Sequence, residues 1–159
     1  MSVRRGLLFL SREWVSRAVA EIERAKKHDE EVRRRTSEFT LRVAYFVDGI
    51  PDELRRVYGS DSLVIVIGLD EGRLKEFRVE GVGEDYDVGE VDYRIMSSYD
   101  TLKRIFSGEI NVVQAYMNRL VKIDPFYKLY VNPRFTAKSL TTVSMLLDII
   151  RRRIETVYP

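Results

Sequence analysis

The chain contains no cysteine, one histidine, one glutamine, three asparagines and four prolines among 159 residues. Without cysteine there are no disulfides, thiolate nucleophiles, zinc fingers or iron-sulfur ligands, a composition that fits a reducing cytoplasm. The lone histidine, His28, stands in the run Lys26-Lys27-His28-Asp29-Glu30. A solvated surface role suits it better than catalysis, and neither a triad nor a histidine-rich metal site can be built from one such residue. Long apolar runs are missing too. Arg4 and Arg5 precede only Leu7 to Leu10 before Ser11, too short for a signal core, and no stretch approaches the roughly 20 residues a membrane span needs. The expectation is a cytoplasmic protein with no transmembrane segment. Charge of one sign is also scarce, since 27 Lys and Arg face 25 Asp and Glu for a net +2, so no global field marks a polyanion binder.

What is present is enough for one core. Hydrophobic residues make up 45% and charged residues 33%, a balance that folds without cross-links and predicts one domain over 1–159. Arginine outnumbers lysine 20 to 7, and few amides with many charges is the composition expected of a thermophile.

Ser11 opens an amphipathic helix to about Lys27, with Trp14, Val15, Ala18, Val19 and Ile22 three and four apart. The charged run to Glu38 extends it or adds a second exposed turn, so residues 1–38 read as an N-terminal helical extension. Phe39 to Val47 alternates as a strand ended by Asp48-Gly49, and Pro51 to Tyr58 is a short helix that Gly59 closes. Ser62 to Leu69 and Arg73 to Glu80 form a hairpin around Asp70-Glu71-Gly72. Tyr93 to Met96 is a further strand, beyond an acidic loop that starts at Glu84.

Ser97 and Asp100 have capping-box spacing ahead of Leu102, Ile105 and Phe106, and Gly108 can end that helix in a left-handed conformation. Asn111 and Gln114 box a second short helix, Leu120 to Ile123 is a late strand closed by Asp124-Pro125, and Leu140, Val143, Leu147, Ile150 and Ile154 stripe a last helix. Strands first and paired helices later predict an α+β fold, a mainly antiparallel sheet with helices on one face.

Chemical motifs are few. The loop Glu84-Asp85-Tyr86-Asp87-Val88-Gly89-Glu90 places its glycine one residue early for an EF-hand, and Met96 stands where the bidentate glutamate belongs. There is neither a GxGxxG nor a P-loop sequence, so no cofactor is expected. The arginine triplets 33–35 and 151–153 could grip phosphates, but Glu30, Glu31, Glu38, Asp148 and Glu155 lie beside them, and the aromatics lack the pattern of a base-stacking platform. No specific nucleic acid is expected as a partner. What remains is an apolar surplus in the C-terminal half. Residues of this kind are usually core, yet a cavity with adaptable methionine and tyrosine hydroxyls also suits a lipid-like ligand.

The run Tyr99-Asp100-Thr101-Leu102-Lys103-Arg104-Ile105-Phe106-Ser107-Gly108-Glu109-Ile110-Asn111, then Gln114-Ala115-Tyr116 and Leu120-Val121-Lys122-Ile123, resembles the sterol carrier protein 2 family. That family has a helix ending in a Ser-Gly or Thr-Gly turn, an Ala-aromatic pair, a short lysine-containing strand and a C-terminal helix. The match covers Phe39 to Ile154, and Trp14 in a leading helix is similar to small prokaryotic members. This chain departs at Asn118-Arg119 and Asp124-Pro125, where the family commonly has glycines flanking the late strand. The resemblance implies a five-stranded sheet covered by helices over 39–155, an apolar tunnel, and non-catalytic binding or transfer of a sterol, fatty acyl or isoprenoid ligand. Its candidate wall is Ile105, Phe106, Val113, Tyr116, Met117, Phe126, Leu129 and Met145. The alternative is an interaction module of the same fold with a collapsed tunnel, which dimerises or docks on an enzyme through an exposed apolar face. An enzyme is the third reading.

Overall fold

A computed structural model describes residues 6–83 and 86–159. Arg4 and Arg5, and the start of the acidic loop at Glu84 and Asp85, lie outside the described residues. The elements run β1 (Leu7–Leu8), α1 (Arg12–His28), α2 (Glu30–Thr36), β2 (Leu41–Asp48), α3 (Asp52–Tyr58), β3 (Leu63–Asp70), β4 (Arg73–Gly81), β5 (Tyr93–Ser98), α4 (Tyr99–Ser107), α5 (Val112–Met117), β6 (Lys122–Asp124), α6 (Lys128–Val131), α7 (Pro133–Arg153) and β7 (Thr156–Val157). The fold class is α+β. Five strands order as β4-β3-β2-β5-β6, every pair antiparallel except β2 with β5, while β1 pairs in parallel with β7 in a separate two-stranded ribbon.

Local chemistry explains most boundaries. Ser11 Oγ accepts from the Trp14 amide at 3.2 Å to start α1, and Asp29 ends α1 and caps α2 through its side chain. Glu71 and Gly72, at φ +48° and +81°, turn β3 into β4 with both central residues left-handed, as a tight hairpin requires. Asn111 and Gln114 form the reciprocal capping box of α5 at 2.8 and 2.9 Å. Two boundaries depart from expectation. Ser98, rather than Ser97, caps α4, because β5 continues through Ser97, whose hydroxyl is taken by Tyr45. The late strand is Lys122–Asp124 rather than 120–123, because Leu120 and Val121 turn inward before pairing begins at Lys122.

Alternation along the strands sorts the two faces of the sheet. Val47, Leu63, Ile65, Phe77 and Val79 meet α1, α4 and α7 in the main core with Trp14, Ala18, Ile22, Leu102, Ile105, Phe106, Leu146 and Ile150. Helix α1 is therefore no appendage, since Trp14, Ala18 and Ile22 have no exposed surface at all. The opposite face buries Ala44, Val64 and Val66 beneath the segment that carries Val82, Tyr86, Val88 and Val91, of which Val88 is itself buried. Arg42 pins that segment. Its guanidinium donates to the carbonyls of Val88 and Glu90 and pairs with Glu76 at 2.7 Å, reaching over Gly68, whose missing side chain leaves the path clear.

Candidate functional site

Between the helix-covered face of the sheet and helices α4, α6 and α7 lies a cavity of about 110 Å³. Its floor is Leu41, Val43 and Tyr45 from β2, Ile65, Ile67 and Leu69 from β3, Tyr93 and Ile95 from β5, and Ile123 from β6. Its roof is Leu102, Ile105, Phe106, Val112, Leu129, Leu140, Val143, Leu146 and Leu147, with Thr136, Ser139 and Thr142 among them. The even spacing of the strand residues and the three-and-four spacing along α7 aim both sets at the same space.

Hydroxyls stand around this cavity, and those of Tyr45, Tyr93, Thr136 and Ser139 have partners. Tyr45 shares a 2.5 Å hydrogen bond with Ser97, and burial pushes its pKa up to about 12. Ser139 donates to the Phe135 carbonyl at 2.7 Å, and Thr136 Oγ1 faces the carbonyls of Lys128 and Leu129 at 3.3 Å each. No polar atom is exposed on the wall. Such a space can take an apolar group and offers nothing to orient a charged or strongly polar one.

No protein-family model matches the chain, and no curated protein matches it closely enough to count as a relative. Solved structures do match. The crystal structure of sterol carrier protein 2 superposes with a TM-score of 0.63 at 17% identity, over 91% of this chain and 98% of that one. A conserved hypothetical protein of Thermus thermophilus, described as a candidate sterol carrier protein, superposes at 0.65 with 16% identity over 97% and 95%. The fold is that of sterol carrier protein 2. Both superpositions take in more than nine-tenths of each chain.

Within this sterol carrier protein 2 fold the eight expected wall residues separate. Ile105, Phe106 and Leu129 line the cavity. On α5 it is Val112 that reaches in, while Val113 is exposed, because the capping box at Asn111 sets the helix register and turns its next residue outward. Tyr116, Met117 and Phe126 surround a depression on the outer side of β6, and Met117 and Phe126 are 75% and 64% exposed. Among the described residues β6 is the last strand of the sheet, so no further strand pairs beyond it. Met145 turns to the other side of α7, against the cluster of Ala25, Val32 and Ile149. The expected wall omits the floor residues from β2, β3 and β5, because β3 is an unbroken apolar run and only Arg42 and Arg94 mark the outward face by polarity.

The remaining sequence features have structural explanations. Arg35 and Arg34 pair with Glu31, Arg152 with Asp148 and Arg153 with the buried Glu21, while Arg151 donates to the carbonyls of Phe106 and Ile105 at the end of α4. His28 is exposed at the end of α1. An open groove of about 790 Å³ between α2, α5 and α7 is bordered by these paired charges together with apolar side chains such as Ile110, Leu140 and Met145. Among the described residues no group of three or more His, Asp or Glu could hold a metal ion, and no helix is long and apolar enough to cross a membrane.

Proposed function

We propose that the protein is a cytoplasmic carrier that binds a lipid-like ligand, sterol, fatty acyl or isoprenoid in type, in the cavity between the sheet and α7, without catalysis. The observation that carries this reading is a cavity whose exposed wall is entirely apolar while the Tyr45 and Ser139 hydroxyls beside it are engaged elsewhere. The fold shared with sterol carrier protein 2 supports it. Volume sets the terms of binding. At about 110 Å³ the space is below the roughly 300–1,000 Å³ of ordinary ligand sites. It holds a group approaching benzene in size, a molecule that fits a cavity of about 150 Å³. A longer ligand enters only if α6 and the first half of α7 move outward. Helix α6 fully buries none of its four residues and packs inward through Leu129, so a single side chain supplies most of its apolar hold.

The same small volume favours a second reading, an interaction module with a collapsed tunnel that dimerises or docks on another protein. Native mass spectrometry and displacement of a fluorescent fatty acid separate the two. A carrier retains a co-purifying lipid or binds the probe at micromolar concentration, and Val143→Phe, which fills the cavity, abolishes binding while the protein stays folded. A bare mass together with no probe binding by the wild type rejects the carrier and leaves the module.

A further inference from the structure

We propose that the face formed by α5, β6 and α6 docks on the surface of an anionic phospholipid bilayer. Seven large hydrophobic side chains are exposed among the described residues, and six of them, Val113, Met117, Phe126, Tyr127, Tyr130 and Val131, fall within this one short segment. Tyr116 and Met117 of α5, Lys122 of β6 and Phe126 just before α6 border one shallow depression, so these elements contribute to one face. A cluster of this size on a surface marks an interaction site rather than the scattered apolar exposure of any protein.

Charge selects the occupant. Residues 112–147 hold five cations, Arg119, Lys122, Lys128, Arg134 and Lys138, against the single anion Asp124, in a chain whose totals are 27 and 25. None of the five takes part in an ion pair among the described residues, although Lys128 donates to the Asp92 carbonyl and Lys138 stands over the Phe39 ring, whereas carboxylates neutralise most of the charge of both arginine triplets. Aromatic rings flanked by unpaired Lys and Arg suit the interface of an anionic membrane, where rings sit at headgroup depth and cations meet lipid phosphates. A second copy of the chain would bring the same cations face to face, and β6 offers only three residues of open edge for pairing. Single-stranded nucleic acid would use the rings and cations but has no need of Met117, Val113 and Val131. The face also adjoins the cavity, because Ile123 belongs to both.

The test is partition of the full chain onto sedimented vesicles. Wild type should bind vesicles of equal parts phosphatidylcholine and phosphatidylglycerol, bind phosphatidylcholine alone far more weakly, and dissociate as salt rises. Lys122→Gln with Arg134→Gln should lower the partition coefficient about thirtyfold, at the usual contribution of a cation near an anionic surface. Phe126→Ser and Tyr130→Ser should each lower it about tenfold or more. These side chains are exposed, so unchanged thermal melting shows that the variants remain folded. Val143→Phe should bind vesicles as wild type does, which keeps this test separate from that of the cavity. Equal binding to neutral and anionic vesicles, no binding to either, or indifference to all four substitutions overturns the proposal. So does a dimer that Phe126→Ser dissociates, or a salt-sensitive complex with single-stranded DNA in the absence of vesicle binding.

Discussion

Gly108 closes α4 with φ +85°, and its neighbour in space is Arg151 from the last turn of α7. An alanine Cβ at this position would stand 2.9 Å from Arg151 Cζ and 3.0 Å from Nε, too close without displacement of the guanidinium. That guanidinium donates to the Phe106 carbonyl at 3.1 Å and the Ile105 carbonyl at 3.4 Å, at the negative end of the α4 dipole. Two costs follow from Gly108→Ala. The left-handed backbone costs about 1–2 kcal/mol for a residue with a Cβ. Displacing Arg151 adds about 1 kcal/mol, less than the usual value of a charged hydrogen bond because the side chain is partly solvated. The total of about 2–3 kcal/mol should lower the melting temperature by about 5–10 °C for a chain of this length. Urea denaturation of Gly108→Ala, Arg151→Ala and the double variant then tests the mechanism. With Arg151 gone the new Cβ no longer displaces it, so the double variant should lose about 1 kcal/mol less than the two single losses together. Strict additivity, or a Gly108→Ala protein that melts with wild type, would refute the contact.

Phe106→Ala should cost about 3–5 kcal/mol by opening a void in the core, whereas Phe126→Ala should change stability by less than about 0.5 kcal/mol, a contrast that denaturant titration resolves. Tyr45 has a folded pKa of about 12 against about 10 for an unfolded tyrosine. Its contribution is thus complete below the unfolded value and is lost as pH rises through the folded one, so Tyr45→Phe should flatten the fall of stability in that alkaline window. Glu76 is held below the ordinary carboxylate range chiefly by its hydrogen bond to Arg42. Its stabilisation is present above the unfolded pKa and is lost as pH falls through the folded value, so thermal melts of Glu76→Gln should show a shallower acid limb than wild type.

Features that depend on a few neighbouring residues were legible in the amino-acid order. The periodicity of Trp14, Ala18 and Ile22, the box of Asn111 with Gln114, the hairpin at Glu71-Gly72 and the left-handed exits at Gly59 and Gly108 all appear where local pattern put them. Caps, turns and backbone sterics act over one to four residues, and a sequence displays that range directly. The parallel pairing of β2 with β5 and of β1 with β7 joins segments far apart along the chain, which no local pattern specifies. The same limit explains the split among the wall residues. Phe106 and Phe126 are the same amino acid in similarly apolar surroundings, yet one is 6% exposed and the other 64%. Their difference arises because α4 packs between the sheet and α7, while Phe126 follows the last strand, at the edge where the sheet ends. Burial is set by what lies across from a side chain, and that neighbour is chosen only when the whole chain has folded.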